Sequence, residues 1–219
     1  MDIQEFNYTV HELWRHWKDV PLRWYSVQND LMDNELDLFR IRTLPEFEQA
    51  TAKMNEKLKT YWLRRWFIWR HSACDEFLFS AIPGVTLNPD YKSKQYDAMF
   101  SNGMIFDLKS TRIFNDWKCY APELIQNPRP LIERFYKEQS SDRRYGMQNR
   151  LFIVHHSFVG NNREFLVRCG WSAKMNAFKK FSENINDVQF CKLSNGVKAG
   201  VIYVLEKEEK KIETIVCGL

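Results

Sequence analysis

The sequence lacks the patterns that mark several common catalytic classes. Its five cysteines are scattered without a CxxC pair, which argues against a zinc cluster and favours reduced thiols. Only eight glycines are present, and none of them builds a glycine-rich phosphate loop, so neither Rossmann nor kinase chemistry is indicated. No Ser/His/Asp or Cys/His arrangement can be assembled from the sequence either. Thiolate–metal, dinucleotide and nucleophilic-triad chemistry are therefore disfavoured.

Long apolar segments and a secretory start are also missing. The N-terminus MDIQEFNYTV shows no basic start followed by an apolar run, and stretches such as WFIW and LFIV are too short to span a bilayer. We therefore expect a cytoplasmic protein with no membrane partner. The net charge of +4 permits a polyanionic partner without requiring one.

A substantial aromatic content, 15% of the chain, predicts a sizeable core. Residues 1–70 are predicted to form a helical N-terminal region, in which Pro45 suits a first helical turn. Trp62, Trp66 and Trp69 follow helical spacing and predict a stripe that faces the core. Ser72 is predicted to be the N-cap of a new helix.

The remainder of the chain, residues 71–219, is predicted to be an α/β core with C-terminal strands. Strands are expected at 85–89 and 150–158, a hairpin at 96–111, helices within 129–139 and 172–185, and two strands around a charged turn in the tail. From residue 72 the order is helix, strand, hairpin, helix, strand. That order predicts a mixed β-sheet flanked by helices, in one compact unit with the N-terminal region.

The hairpin QYDAMFSNGMIFDLKST, residues 95–111, carries the strongest functional signal. A three-residue Ser-Asn-Gly loop would pair Phe100 with Met104 and set Asp97 opposite Asp107. Alternation then sorts the side chains, with Asp97, Asp107 and Lys109 on one face. The other face would hold Tyr96, Ala98, Phe100, Met104, Phe106 and Leu108.

Two opposed carboxylates on one face repel each other, so a compensating charge is expected. A hard divalent cation takes carboxylate oxygens and keeps waters for chemistry. Lys109, on the same face, would stabilise developing negative charge or help to activate a water. The alternative is an ordinary ion pair between Asp97 and Lys109 on a solvated face.

The spacing of Asp97 and the triplet DLK at 107–109 resembles the PD-(D/E)xK nuclease superfamily, over a motif and element order that cover residues 72–158. The resemblance implies a restriction-endonuclease-like fold and hydrolysis of DNA phosphodiesters to a 5′-phosphate. It also implies that Asp97 and Asp107 bind Mg²⁺ or Mn²⁺ and that Lys109 assists water attack. Glu76 would take the place of the core-helix glutamate of many members, with Asp75 as its rival.

Other copies of the triplet leave an alternative open. Residues 90–92 read DYK after Pro89, so Asp90 rivals Asp97 as the first metal ligand. We favour Asp97 because it lies within the hairpin and faces Asp107. The copy at 208–210 sits in a charged turn and is interpreted as solvated surface.

Basic residues around the hairpin predict a nucleic-acid surface, because phosphate contacts come mainly from Lys and Arg. The candidate contacts are Lys92, Lys94, Arg112, Arg143 and Arg144, with Gln148 expected near the metal's water or the DNA. A homodimer would suit double-strand cutting. Restriction, repair and mobile-element processing are all open, and the runner-up is a non-catalytic nucleic-acid-binding or assembly module with the same fold.

Overall fold

The computed structural model describes residues 1–20, 36–38, 40–90, 95–138, 148–161 and 163–219. The chain divides into two compact units, Met1–Phe77 and Leu78–Leu219. The candidate hairpin lies entirely within the second unit.

The described part of the first unit is helical, as predicted. It contains α1 (Ile3–His16), α2 (Leu44–Ala50) and most of α3 (Glu56–Ser80), which continues into the second unit. Helix α2 begins with a capping box, in which Thr43 and Glu46 satisfy each other's backbone N–H groups, and with a proline in its first turn. These local signals fix where the helix starts.

Helix α3 corrects one prediction. It runs unbroken through Ser72, so that residue is not the N-cap of a new helix. The helix instead begins after Asn55, whose side-chain oxygen accepts the backbone N–H of Leu58 at 3.0 Å. No Gly or Pro interrupts residues 56–80, and the helix therefore continues past a residue that also suits a cap.

The aromatic stripe of α3 faces the core of the first unit, as expected. Trp62 and Trp66 are buried, and the Trp66 indole N–H donates to the Ile41 carbonyl at 3.0 Å. Further toward the C-terminus of α3, the buried Arg70 guanidinium donates to Glu5 at 2.9 Å and to Thr9 at 2.6 Å. The stripe therefore packs α3 against the residues that precede it in the chain.

The second unit is a mixed α/β domain. Its strands are β1 (Thr86–Leu87), β2 (Ala98–Met99), β3 (Ile105–Arg112), β4 (Arg150–Ser157), β5 (Cys191–Lys192), β6 (Lys198–Glu208) and β7 (Lys211–Val216). Its helices are a 3-10 helix (Asn115–Tyr120), α4 (Ala121–Gln126), α5 (Arg129–Glu138), α6 (Glu164–Arg168) and α7 (Trp171–Glu183). None of the helices described in either unit is long and apolar enough to cross a membrane.

Within the described residues the seven strands form one mixed sheet in the order β1-β2-β3-β4-β6-β5, with β7 paired to β6. Strands β3, β4 and β6 are parallel neighbours, and the other pairs are antiparallel. The predicted mixed sheet flanked by helices is confirmed. Residues 115–126 are helical, and Pro122 is tolerated there because it stands in the first turn of α4.

The two faces of the sheet are packed differently. On one face, Phe106 of β3 joins an aromatic cluster in which Phe79 and Phe178 stack at 4.0 Å. On the other face, Phe152 of β4 packs against Phe135 of α5 at 4.9 Å. Side chains alternate along β3, so Asp107 and Lys109 lie on the α5 face, opposite Phe106.

Candidate active site

The hairpin has the predicted register. Ala98 pairs with Phe106 and Met99 with Ile105, and the Phe100 N–H donates to the Met104 carbonyl at 2.9 Å. The three-residue loop closes at Gly103, whose φ of 79° lies in the left-handed region that favours glycine. A slip by one residue would exchange the two faces, and it is therefore disfavoured by the burial of Ala98 and Phe106.

The same register sets Asp97 opposite Asp107, just before the first residue of β2. The Asp97 N–H donates to the Phe106 carbonyl at 2.9 Å, which holds its backbone against β3. Its side chain turns toward the neighbouring strand, where Oδ2 accepts the Leu108 N–H at 2.7 Å. Asp97 is therefore fixed at both its backbone and its carboxylate.

Asp107 is buried, at 5% exposure, and contacts two cations. Its Oδ1 lies 3.0 Å from the Lys109 Nζ, and its Oδ2 accepts the Arg150 Nε–H at 3.0 Å. The Lys109 side chain is 35% exposed, whereas that of Arg150 is 1% exposed. One cation is therefore a fixed internal partner and the other can reach solvent.

Arg150 is the cation that the sequence analysis did not pair with Asp107. It is the first residue of β4 and stands in register with Asp107. Its guanidinium lies 4.8 Å above the Tyr136 ring, a cation–π distance. A charge heading the otherwise apolar run RLFIV is the signal that could have identified a buried ion-pair partner.

The electrostatics of the acidic pair are unfavourable. Burial, followed by the negative charge of Asp107, raises the pKa of Asp97 from 3.8 to about 6. Lys109 and the Leu108 N–H act in the opposite direction but do not restore the ordinary value. The two carboxylates thus repel each other at neutral pH even with Lys109 and Arg150 nearby.

The donor set fits a hard divalent cation in part. The two carboxylates supply oxygen ligands of the kind such an ion takes, but both Asp107 oxygens contact cations, Lys109 at Oδ1 and Arg150 at Oδ2. Across the described residues, no group of three or more His, Cys, Asp or Glu side chains is placed to hold a metal. Water or a phosphate oxygen would complete the coordination.

The other acidic candidates stand elsewhere in the chain. Glu76 and the buried Asp75 belong to α3 and to the first unit, whereas Asp97, Asp107 and Lys109 belong to the second. Asp90 is exposed after β1, and its N–H donates to the Asn88 Oδ1 at 3.0 Å in a local turn. The pair formed with Asp107 is that of Asp97.

The predicted nucleic-acid contacts are divided. Lys92, Lys94, Arg143 and Arg144 lie outside the described residues. Gln148 stands two residues before Arg150, and its carbonyl accepts the Tyr136 hydroxyl at 2.8 Å.

Arg112 lies at the far end of β3, where its guanidinium pairs with Glu164 at 3.0 Å. An odd spacing of three residues from Lys109 directs it to the opposite face of the sheet. The structure thus brings Gln148 near the acidic pair through its contact with Tyr136, and it does not bring Arg112 there.

His155 and His156 are consecutive in β4 and therefore face opposite sides of the sheet. Burial lowers the pKa of His155 well below its usual range, and its Nδ1–H donates to the Thr111 carbonyl at 2.9 Å. Burial and the charge of Lys118 lower the pKa of His156 to about 4. Both rings are neutral at pH 7 and point apart, so they do not form a shared metal site.

Comparison with known proteins assigns no family: no family model matches the chain, and neither a curated protein nor a solved structure matches it. The interpretation of the acidic hairpin therefore depends on its own geometry.

Proposed function

We propose that the chain is a metal-dependent deoxyribonuclease of the PD-(D/E)xK type. The observation that carries the proposal is the opposed pair Asp97 and Asp107, in which burial and mutual repulsion raise the pKa of Asp97 to about 6, with the Lys109 ammonium 3.0 Å from Asp107. Like charges directly opposite each other across a strand pair are destabilising, and a bound cation would relieve that repulsion.

Asp97 and Asp107 would hold Mg²⁺ or Mn²⁺, which when bound supplies Lewis-acid activation of a phosphoryl oxygen and of water. Arg150 keeps the Asp107 carboxylate in one orientation through the 3.0 Å contact to Oδ2. Asp97 is aligned by the Leu108 N–H. The two acids therefore present fixed oxygens at the edge of the hairpin.

Lys109 has the mobile role. Its half-buried ammonium contacts Asp107 Oδ1 and can turn to a phosphate oxygen or to the attacking water, since its side chain is 35% exposed. In that position it would stabilise the negative charge that develops on the phosphoryl group. A Lys109 side chain turned toward substrate would leave Oδ1 of Asp107 as an oxygen ligand for the cation.

Supporting roles in the proposal follow the superfamily resemblance. Lys92, Lys94, Arg143, Arg144 and Gln148 would contact the DNA backbone. A homodimer in the cytoplasm would serve restriction, repair or mobile-element processing.

A second candidate is a non-catalytic nucleic-acid-binding or assembly module. The observation that favours it is the contact of both Asp107 oxygens with cations, Lys109 and Arg150. The formal charge of the two acids and the two bases is zero, so the site is balanced without a metal when all four are ionised. Measurable cleavage of DNA distinguishes the nuclease from the binding module.

Incubating the protein with plasmid and linear DNA in the presence of Mg²⁺, Mn²⁺ or EDTA tests the nuclease proposal. Nicking that requires the metal and is lost in Asp107→Ala and in Lys109→Ala supports it. Asp187→Ala and Lys179→Ala, at exposed positions of the same unit, are matched controls that keep wild-type activity. Salt-sensitive DNA binding without cleavage under either metal supports the binding module instead.

A further inference from the structure

An exposed apolar pair lies beside the acidic pair. Met99 and Ile105 are partners across β2 and β3, and each is 39% exposed. The remaining apolar positions at this part of the hairpin, Ala98, Phe100 and Phe106, are buried. Two large apolar side chains are therefore presented together to solvent, rather than one alone.

The pair shares a face with the proposed catalytic residues. Side chains alternate along each strand, so Met99 follows Asp97 and Ile105 precedes Asp107 on the same side of the hairpin. Two residues of an extended strand span about 7 Å. A nucleotide next to a phosphate held at the acids would meet the apolar pair.

The backing of the pair is rigid. The Asn149 amide donates to the Ile105 carbonyl at 3.3 Å, and its oxygen accepts the Lys198 N–H at 2.9 Å. Asn149 thereby links the first residue of β3 to the first residue of β6. On the other side, β1 extends the row, since Thr86 is the register partner of Met99 and is also exposed.

We infer that Met99 and Ile105 form a base-contacting platform that selects DNA with unpaired bases next to the scissile phosphate. This inference rests on the proposed nuclease function. Apolar side chains such as Met and Ile contact base faces only where the bases are unstacked. A fully stacked duplex offers phosphates at this spacing but not base faces, so single-stranded or locally opened DNA is the substrate class that buries the pair.

The test compares Met99→Thr/Ile105→Thr with the wild type. Threonine suits a strand at both positions, keeps the β-branched shape of Ile105 and removes apolar surface. Val159→Thr is the matched control, since Val159 is an exposed apolar residue of the same unit, at 42% exposure. Thermal unfolding of each variant confirms that the fold is kept. Binding of fluorescent single-stranded and duplex oligonucleotides is measured in Ca²⁺.

The double variant is expected to lose about fivefold in affinity for the single strand, because it removes apolar surface that the bases would bury. Its duplex affinity and both affinities of Val159→Thr stay unchanged. Equal affinities of the wild type and the double variant for the single strand, or an equal loss for both DNAs, overturn the inference.

Measuring DNA cleavage as well as binding distinguishes a failure of the platform inference from a failure of the nuclease proposal. If the wild type cleaves with Mg²⁺, Asp107→Ala is inactive and the double variant prefers single strands as the wild type does, the platform fails and the nuclease proposal stands. If the wild type cleaves nothing while the double variant shows the selective loss of binding, the nuclease proposal fails and the platform stands.

Discussion

Two acidic sites of the same sheet illustrate opposite solutions to burying a carboxylate. Glu206, at the end of β6, is fully buried and accepts from Ser157 at 2.7 Å, from Arg163 at 2.7 and 2.5 Å, and from the Lys210 N–H at 2.9 Å. Burial opposes its charge, yet these donors lower its pKa overall. At the acidic hairpin, Asp97 has one backbone donor and a like-charged neighbour.

The comparison distinguishes an acid that stabilises the fold from an acidic pair that destabilises it. Glu206 is satisfied by donors from its own surroundings, whereas Asp97 keeps an unfavourable repulsion from Asp107 although Lys109 and Arg150 contact Asp107. A carboxylate whose pKa is raised by burial and by a like-charged neighbour is typical of functional sites.

The largest effect is expected at the structural acid. Glu206→Ala removes the acceptor of four hydrogen bonds and leaves Arg163 without its partner. We expect a loss of about 4 kcal/mol in the free energy of unfolding, measured by urea titration. Glu209→Ala, at an exposed position in the same turn, is the control. A loss below 1 kcal/mol would remove the contrast between the two sites.

A somewhat smaller loss is expected at the internal partner of Asp107. Arg150→Met keeps much of the side-chain volume but leaves the buried Asp107 with Lys109 as its cation. The expected cost is about 3 kcal/mol, again from urea titration. The exposed Arg129→Met serves as control. An unchanged stability would show that Arg150 does not compensate the charge of Asp107.

The acidic pair should respond with the opposite sign. Asp97→Asn keeps an oxygen for the Leu108 N–H and removes the repulsion from Asp107. In the metal-free protein at pH 8 we expect a gain of about 2 kcal/mol. Destabilisation by this substitution at pH 8 would mean that the ionised Asp97 is a structural acid like Glu206.

The same group predicts a pH dependence. The pKa of Asp97 is about 6 in the folded protein and 3.8 for an ordinary aspartate. The folded state therefore binds the proton of the Asp97 carboxyl more tightly than the unfolded state does. The stability that this protonation contributes is present below pH 4 and is lost as the pH rises from about 4 to about 6. Subtracting the urea-titration profile of Asp97→Asn from that of the wild type isolates this slope. A difference that is flat across this range contradicts it.

The smallest effect on stability is expected at Lys109. Its ion pair with Asp107 is partly exposed, so Lys109→Met should change the free energy of unfolding by no more than about 0.5 kcal/mol. The DNA cleavage rate of the Lys109→Met variant should nevertheless fall by about 10²-fold relative to the wild type. A large loss of stability with activity retained would instead assign Lys109 to the fold.

Sequence reasoning predicted the hairpin because its information is local. The Ser-Asn-Gly loop and the alternation of apolar residues fix the register, and with it the opposition of Asp97 and Asp107. Arg150 could not be placed, because its pairing with Asp107 depends on the parallel register of β3 and β4, strands that are far apart in sequence. The continuous helix through Ser72 was missed since a serine is compatible with both a cap and a helix interior.

The most direct test of the central claim compares plasmid nicking by Asp97→Asn and Asp90→Asn with Mg²⁺ or Mn²⁺ at pH 7.5. Asp90 is an exposed aspartate preceding the same hairpin, and its substitution controls for the loss of one negative charge. The account predicts that the wild type and Asp90→Asn nick the DNA and that Asp97→Asn does not. Intact plasmid with the wild type under both metals, or loss of nicking in Asp90→Asn alone, would contradict it.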